Sequence, residues 1–427
     1  MELQEIKKRY ACPCDESASF DSFVVPQRGD GMWVWAEGDG EPYLDLVQGY
    51  SSLNFGHSHP VVVNAVKDAL AGIEQIHSFH TRAKLELSQL LSESLTTEDD
   101  YKVYFDVGGS AAVSAALRLC RAHSGQSTVL TFDGGFHGTG TDSAGVTDDR
   151  LINKRQYGPN AAFGDTVRIS YPDSYRNVTE AACLATLEEY IERFQPAAVI
   201  LEPIQGANGF IIPSSDFVRQ VREITSNHKV FMIDDEIQVG LGRAGYLYVI
   251  KRSHVRPDIL LLSKSLAGGY YPLSALIAKA ELFESVPRIG TAFQSTFNNN
   301  PFGTNISLRV LTYLIRENLV ENAKVQGAKL LGELEFVKEV AHIDNLRGLG
   351  LAIAFEFVED KATRLPAPDL AQRFIEIALI EHLMLYRCGV NRNVIKIAPP
   401  LTISDGDVAL ICQRIKRCTD RFQDMVS

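Results

Sequence analysis

Lys264 follows the apolar run Ile259-Leu260-Leu261-Leu262 and precedes Ser265-Leu266-Ala267-Gly268-Gly269. An amine placed where a buried strand opens into a loop of small residues is shielded from water yet reachable by a ligand. Desolvation lowers the pKa of such a lysine and makes it a candidate imine-forming nucleophile. Earlier in the chain, Asp234-Asp235-Glu236 follows Phe231-Met232-Ile233, a second apolar strand that delivers carboxylates at its end. A lysine and an acid at two strand ends match the needs of pyridoxal phosphate: a Schiff-base amine and a partner for the pyridinium nitrogen.

In open parallel sheets, ligands bind beyond the carboxyl ends of the strands, so each strand end is informative. Phe105 is followed by Asp106-Val107-Gly108-Gly109-Ser110 and then a helical pattern. Gly109 and Ser110 at a helix start expose backbone N–H groups that suit a phosphate, although a plain N-cap fits equally well. No Gly-Lys-Ser/Thr follows, which excludes a P-loop. Phe136 and His137, flanked by Gly134-Gly135 and Gly138, could lie against a planar ring or form a structural turn. Glu202 ends the Val199–Leu201 run, and an acid there must be paired or face a cleft. Gln238 stands just beyond Asp235.

Three other patterns are weaker. Gly240-Leu241-Gly242-Arg243-Ala244-Gly245 matches a dinucleotide fingerprint literally, but it neither follows its strand directly nor opens a helix. His57-Ser58-His59 has Pro60 after it and no third ligand at matching spacing, so a structural turn is favoured over a metal pair. Cys12-Pro13-Cys14 has no companion pair, so no metal site is assigned.

The elements that would position these residues alternate. Met32–Trp35 and Tyr43–Leu46 read as a hairpin around Glu37-Gly38-Asp39-Gly40. Helices are expected at 61–71, 85–94, 111–122, 179–194 and 216–226. Strands are expected at 103–105, 129–132 and 198–202, with two more ending at Ile233 and Leu262. That order predicts an α/β fold with a mostly parallel central sheet flanked by helices. A long helical pattern then runs from Pro301 through Glu333, followed by a strand pair near 350–357 and a helix at 405–422. The chain divides into an N-terminal segment (1–55), a large cofactor-binding domain (56–305) and a smaller α+β C-terminal domain (306–427).

The bulk numbers narrow the class. A chain of 427 residues with 45% hydrophobic and 22% charged content is an ordinary globular protein. The net charge of −11 disfavours nucleic acid and anionic membranes as partners. Seven scattered cysteines and no apolar leader or span point to the cytoplasm.

Taken together, these residues resemble the class III (ω-aminotransferase-type) enzymes of the fold type I pyridoxal-phosphate group. The run from Asp235 through Gly245, then Pro257-Asp258-Ile259 and Lys264, is the specific signature. Tyr43-Leu44-Asp45, Gly56-His57-Ser58-His59-Pro60, Phe136-His137-Gly138, Glu202-Pro203 and Pro399-Pro400-Leu401 agree with it. The resemblance implies pyridoxal 5'-phosphate as cofactor, held by Lys264, with Asp235 keeping the pyridine nitrogen protonated. It places Gln238 near the phenolic oxygen, Phe136 on the ring with His137 beside it, Glu202 nearby, and Gly109 and Ser110 on the phosphate. Thr296 would reach the phosphate of a neighbouring subunit, which implies a homodimer with shared active sites. The expected substrates are a small amine or amino acid and an oxo acid or aldehyde.

Departures from the ornithine-type pattern concern the substrate. Lys396 stands where an arginine precedes Pro-Pro-Leu, Ala207 where a glutamate pairs with it, and Thr139 where a second carboxylate-binding arginine is common. Arginine offers a bidentate fork, whereas lysine offers a point charge. A specialised donor or acceptor is therefore expected. Ser170–Arg176, Pro272–Ala275 and Gly389–Val394 are also similar to class III amino-acid racemases and epimerases, an alternative on the same fold.

Overall fold

The computed structural model describes residues 3–10, 24–76, 79–152, 157–158, 163–284 and 293–426. Cys12-Pro13-Cys14 lies outside them. Strands β1 (Pro26–Asp30), β2 (Trp33–Ala36) and β3 (Tyr43–Asp45) form an antiparallel meander. This is the expected hairpin with one further strand before it.

The central sheet has seven strands in the order β4-β10-β9-β8-β7-β5-β6. They are β4 (Tyr101–Val107), β5 (Val129–Phe132), β6 (Thr166–Ile169), β7 (Ala198–Leu201), β8 (Phe231–Asp235), β9 (Ile259–Leu262) and β10 (Leu273–Lys279). Strands β5 to β9 run parallel, and β10 is antiparallel to both β4 and β9. All four residues of β9 are buried, because helices cover both faces of the sheet and every side chain must be apolar. The helix Gly109–Ser124 buries a small-residue stripe (Ala112, Val113, Ala115, Ala116, Leu117, Leu119, Cys120) and stops at Gly125, whose φ of +73° suits only glycine well.

The expected helix over 301–333 is two helices, Pro301–Arg316 and Leu319–Glu333. The break falls at Asn318, which adopts the left-handed conformation (φ +52°). Asparagine tolerates that conformation, and a periodicity count does not register it. The smaller sheet holds β11 (Ile343–Leu349), β12 (Ala352–Phe357), β14 (Tyr386–Cys388) and β15 (Val394–Ile397) in the order β11-β12-β15-β14. Between them β13 (Leu383–Met384) crosses back to pair in parallel with β3, tying the first residues of the chain to the last third. The helix Asp405–Val426 packs over this end.

Candidate active site

The carboxyl ends of β4, β5, β7, β8 and β9 open on one edge of the sheet. Each supplies a wall of one cavity of about 170 Å³, lined by Gly109, Ser110, Phe136, His137, Gly138, Glu202, Asp235, Ile237, Gln238, Ser263 and Lys264. Eight of the residues expected from the sequence therefore meet: Gly109, Ser110, Phe136, His137, Glu202, Asp235, Gln238 and Lys264.

Lys264 begins a short 3-10 turn immediately after β9 and has φ +39°. A long side chain in the left-handed region is strained by about 1–3 kcal/mol, and such strain concentrates at functional positions. Its amine is walled in by protein, keeps some surface open to the cavity, and is pushed down to about 8. Burial is the main cause, the nearby Lys396 cation adds to it, and Glu202 and Asp235 oppose it.

Asp235 ends β8 and is almost wholly buried. Its Oδ2 lies 2.7 Å from His137 Nδ1, and its Oδ1 accepts from Ile237 N at 3.1 Å. His137 is placed by its own N–H donating to Thr147 Oγ1 at 2.9 Å, while its Nε2 is buried with no partner. That orphaned nitrogen and the buried aspartate, both on residues of the cavity wall, fit a polar heterocycle better than an empty core. Glu202 accepts from Phe136 N and Gly206 N, each at 2.9 Å. Burial nevertheless pushes its carboxyl up to about 7, against the pull of His137 and the two backbone donors.

The helix start expected to hold a phosphate is also formed. Gly108 takes the N-cap of the helix Gly109–Ser124 at φ +85° with no side chain capping it, so the first N–H groups stay free for a ligand. A Cβ at Gly138 (φ +116°) would stand 2.2 Å from Ser110 Oγ, and one at Gly109 would stand 3.0 Å from Ile237. Gly138 is needed for its loop to close around the site, and Gly109 lets Ile237 pack closely against the helix start. Pyridoxal phosphate therefore fits the donor set: an amine, an acid backed by a histidine, and a bare helix start.

Other expected residues lie outside this cavity. Thr296 is exposed, and its carbonyl accepts from Gln75 Nε2. Thr139 is exposed and touches the site only through its N–H, which donates to Ser110 Oγ at 3.2 Å. Ala207 sits on the loop after β7, its carbonyl bound by Gly389 N at 3.0 Å. Lys396, on β15, is 1% exposed. Its Nζ donates to Gly206 O at 2.9 Å and lies 4.8 and 4.7 Å from the ring centroids of Phe210 and Tyr386. Among the described residues no carboxylate pairs with it, and burial lowers its pKa.

Sequence reasoning did not single out Ile237, Ser263 or Thr147. Nothing in their types signals a role; only adjacency to Asp235, Lys264 and the histidine loop could have suggested them. His57 and His59 do structural work: His57 Nε2 lies 2.8 Å from Asp45 Oδ2, and His59 Nδ1 caps the helix Pro60–Leu70. The Gly240–Gly245 run forms a turn rather than a helix start, as expected, and a 3-10 helix (Val249–Ser253) begins only four residues later.

A family model described as aminotransferase class-III matches residues 16–419. The 4-aminobutyrate aminotransferase GabT of Escherichia coli is 30% identical over 406 residues, covering 93% of each chain. The leucine/methionine racemase of Thermococcus litoralis is also 30% identical, over 94% of this chain and 92% of its own. Among solved structures, an amine transaminase from an uncultivated Pseudomonas species, bound to pyridoxal phosphate, superposes with a TM-score of 0.87 at 28% identity, covering 97% and 98% of the two chains.

Proposed function

Because the chain belongs to the class III aminotransferases, fold type I enzymes that work with pyridoxal phosphate, we propose that Lys264, Asp235 and His137 form its catalytic core. The enzyme moves an amino group between an amine or amino acid and an oxo acid or aldehyde. The observation that carries the residue assignment is the strained, half-enclosed amine of Lys264 in one cavity with the buried Asp235–His137 pair.

When bound, pyridoxal phosphate supplies an electron sink that acidifies the donor's C–H bond. Lys264 anchors the cofactor and, as a free neutral amine, takes the proton from the donor carbon and hands it on. Asp235, oriented by His137, keeps the pyridine nitrogen protonated. Ser110 and the amides opening the helix Gly109–Ser124 hold the phosphate. Phe136, Gln238 and Glu202 border the ring and exclude water.

For the substrate, the support is Lys396. It is a single point charge, held back by Gly206 O and flanked by two rings, with Ala207 leaving no acid to release it. A donor with one anionic group, or none, suits a single buried lysine beside the cavity better than a dicarboxylate needing two bidentate arginines. Thr296, exposed and away from its own cavity, suits a role in the active site of a second copy, and a homodimer is part of this reading. The five described cysteines are all free, which suits a cytoplasmic setting.

The test is a half-reaction. Loaded protein given one amine and no acceptor should yield one equivalent of oxo product and stop until an oxo acid is added. The 30% match to a racemase supports a second reading, in which an amino acid in heavy water returns as its deuterated mirror form with no oxo acid. That outcome would replace the first reading.

A further inference from the structure

Glu356 points from β12 of the smaller sheet into its seam with the central-sheet domain, its side chain 4% exposed. Its Oε1 meets Arg347 Nη1 at 2.9 Å and Asn345 Nδ2 at 3.0 Å, and its Oε2 meets Arg176 Nη2 at 2.5 Å. Arg176 belongs to the stretch after β6, whereas Arg347 lies on β11, so one carboxylate is gripped from both sides. Arg347 then reaches back with Nε donating to Gly209 O at 2.9 Å and Phe210 O at 3.2 Å. Those carbonyls belong to the loop after β7, and both residues are left-handed there, Gly209 at φ +92° and Phe210 at φ +54°. Phe210 carries a large side chain in that region, and the turn is held by the paired backbone of Gln205 and Ile211 and, on the Phe210 carbonyl, by the Arg347 guanidinium.

The same loop joins a cavity residue, Glu202, to Lys396. Gly206 N is fixed by Glu202, Gly206 O fixes Lys396, and the Phe210 ring lies beside the Lys396 amine. We propose that Arg347 and Glu356 are positioning residues for transamination, holding the Gly206–Phe210 loop so that Lys396 stays where the donor's charged end arrives. Neither residue touches the cofactor cavity. The proposal rests on the aminotransferase reading above, and on Lys396 lying at the donor end.

The variants are Arg347→Gln and, as a gentler change of the same clasp, Glu356→Gln, each alone and combined with Lys396→Met. For a carboxylate-bearing donor we expect KM to rise about tenfold while kcat changes less than about threefold. The absorption spectrum of the bound cofactor should not move. In the Lys396→Met background the clasp variants should add nothing further to KM, because their effect passes through that lysine. Independently of turnover, amide hydrogen exchange across residues 206–211 should quicken about tenfold in both clasp variants, with the helix Gly109–Ser124 unchanged. Additive effects on KM, or unaltered exchange in 206–211, overturn the proposal. A parent enzyme that binds the cofactor but converts no amine overturns the aminotransferase reading instead, and the exchange result still decides the clasp.

Discussion

At the scale of single residues, the protonation of Lys264 sets how readily its amine can react. With its amine pushed down to about 8, roughly a tenth is neutral at pH 7, and that fraction grows with pH. Cofactor capture by cofactor-free protein should therefore accelerate through about pH 8, followed by absorbance in a stopped-flow mixer. A rate flat from pH 6 to 9 would contradict the assignment. Lys264→Ala should lose turnover by about a hundredfold or more yet keep its circular dichroism spectrum. Asp235→Asn should cost turnover to a similar extent, since a neutral amide beside His137 cannot hold a ring nitrogen protonated.

At the scale of elements, glycines set the shape of the cavity. Gly138→Ala must accept both φ +116° and a 2.2 Å approach to Ser110 Oγ, so it should weaken cofactor binding about tenfold. Equilibrium dialysis would check this, and unchanged affinity would show that the loop yields freely. Much at this scale was readable in advance. The parallel strands other than the edge strand β6, the Gly109–Ser124 helix and the strand-end residues followed from apolar runs closed by polar or small residues; β6 is too short and too mixed to show as such a run. Strand β10 was not read, because alternating strands and helices signal parallel neighbours and give no cue for a reversed strand between them. The break at Asn318 was missed because apolar spacing continues across it. Lys396 was recognisable as a departure, but its place between Phe210 and Tyr386 depends on β14 meeting β15, a pairing that short separate runs do not reveal.

At the scale of the whole molecule, buried acids shape stability. Glu202 is held up at about 7, Glu236 is raised to about 7 by burial with Asp235 adding to it, and Asp234 is raised by burial and by the neighbouring Glu236. A carboxyl whose folded pKa is raised keeps a proton that the unfolded chain has released, so stability falls as pH climbs from the ordinary carboxylate range to about 7. The melting temperature of the cofactor-free protein should drop over that window, and Glu202→Gln should flatten the drop by up to roughly 3 kcal/mol. A rising curve would reverse the sign of this argument. Exposed Phe79, Tyr270 and Phe297, 47–68% accessible, should be covered when two copies associate. Light scattering should return twice the mass of one chain.

Strand β10 also acts as a gauge. Its insertion between β4 and β9 leaves the bare helix start and the backbone of Lys264 two sheet spacings apart, about 10 Å. That separation is set by hydrogen-bonded backbone pitch and not by any side chain. Replacements around the rim can thus retarget the enzyme to new amines while the length of prosthetic group it accepts stays constant.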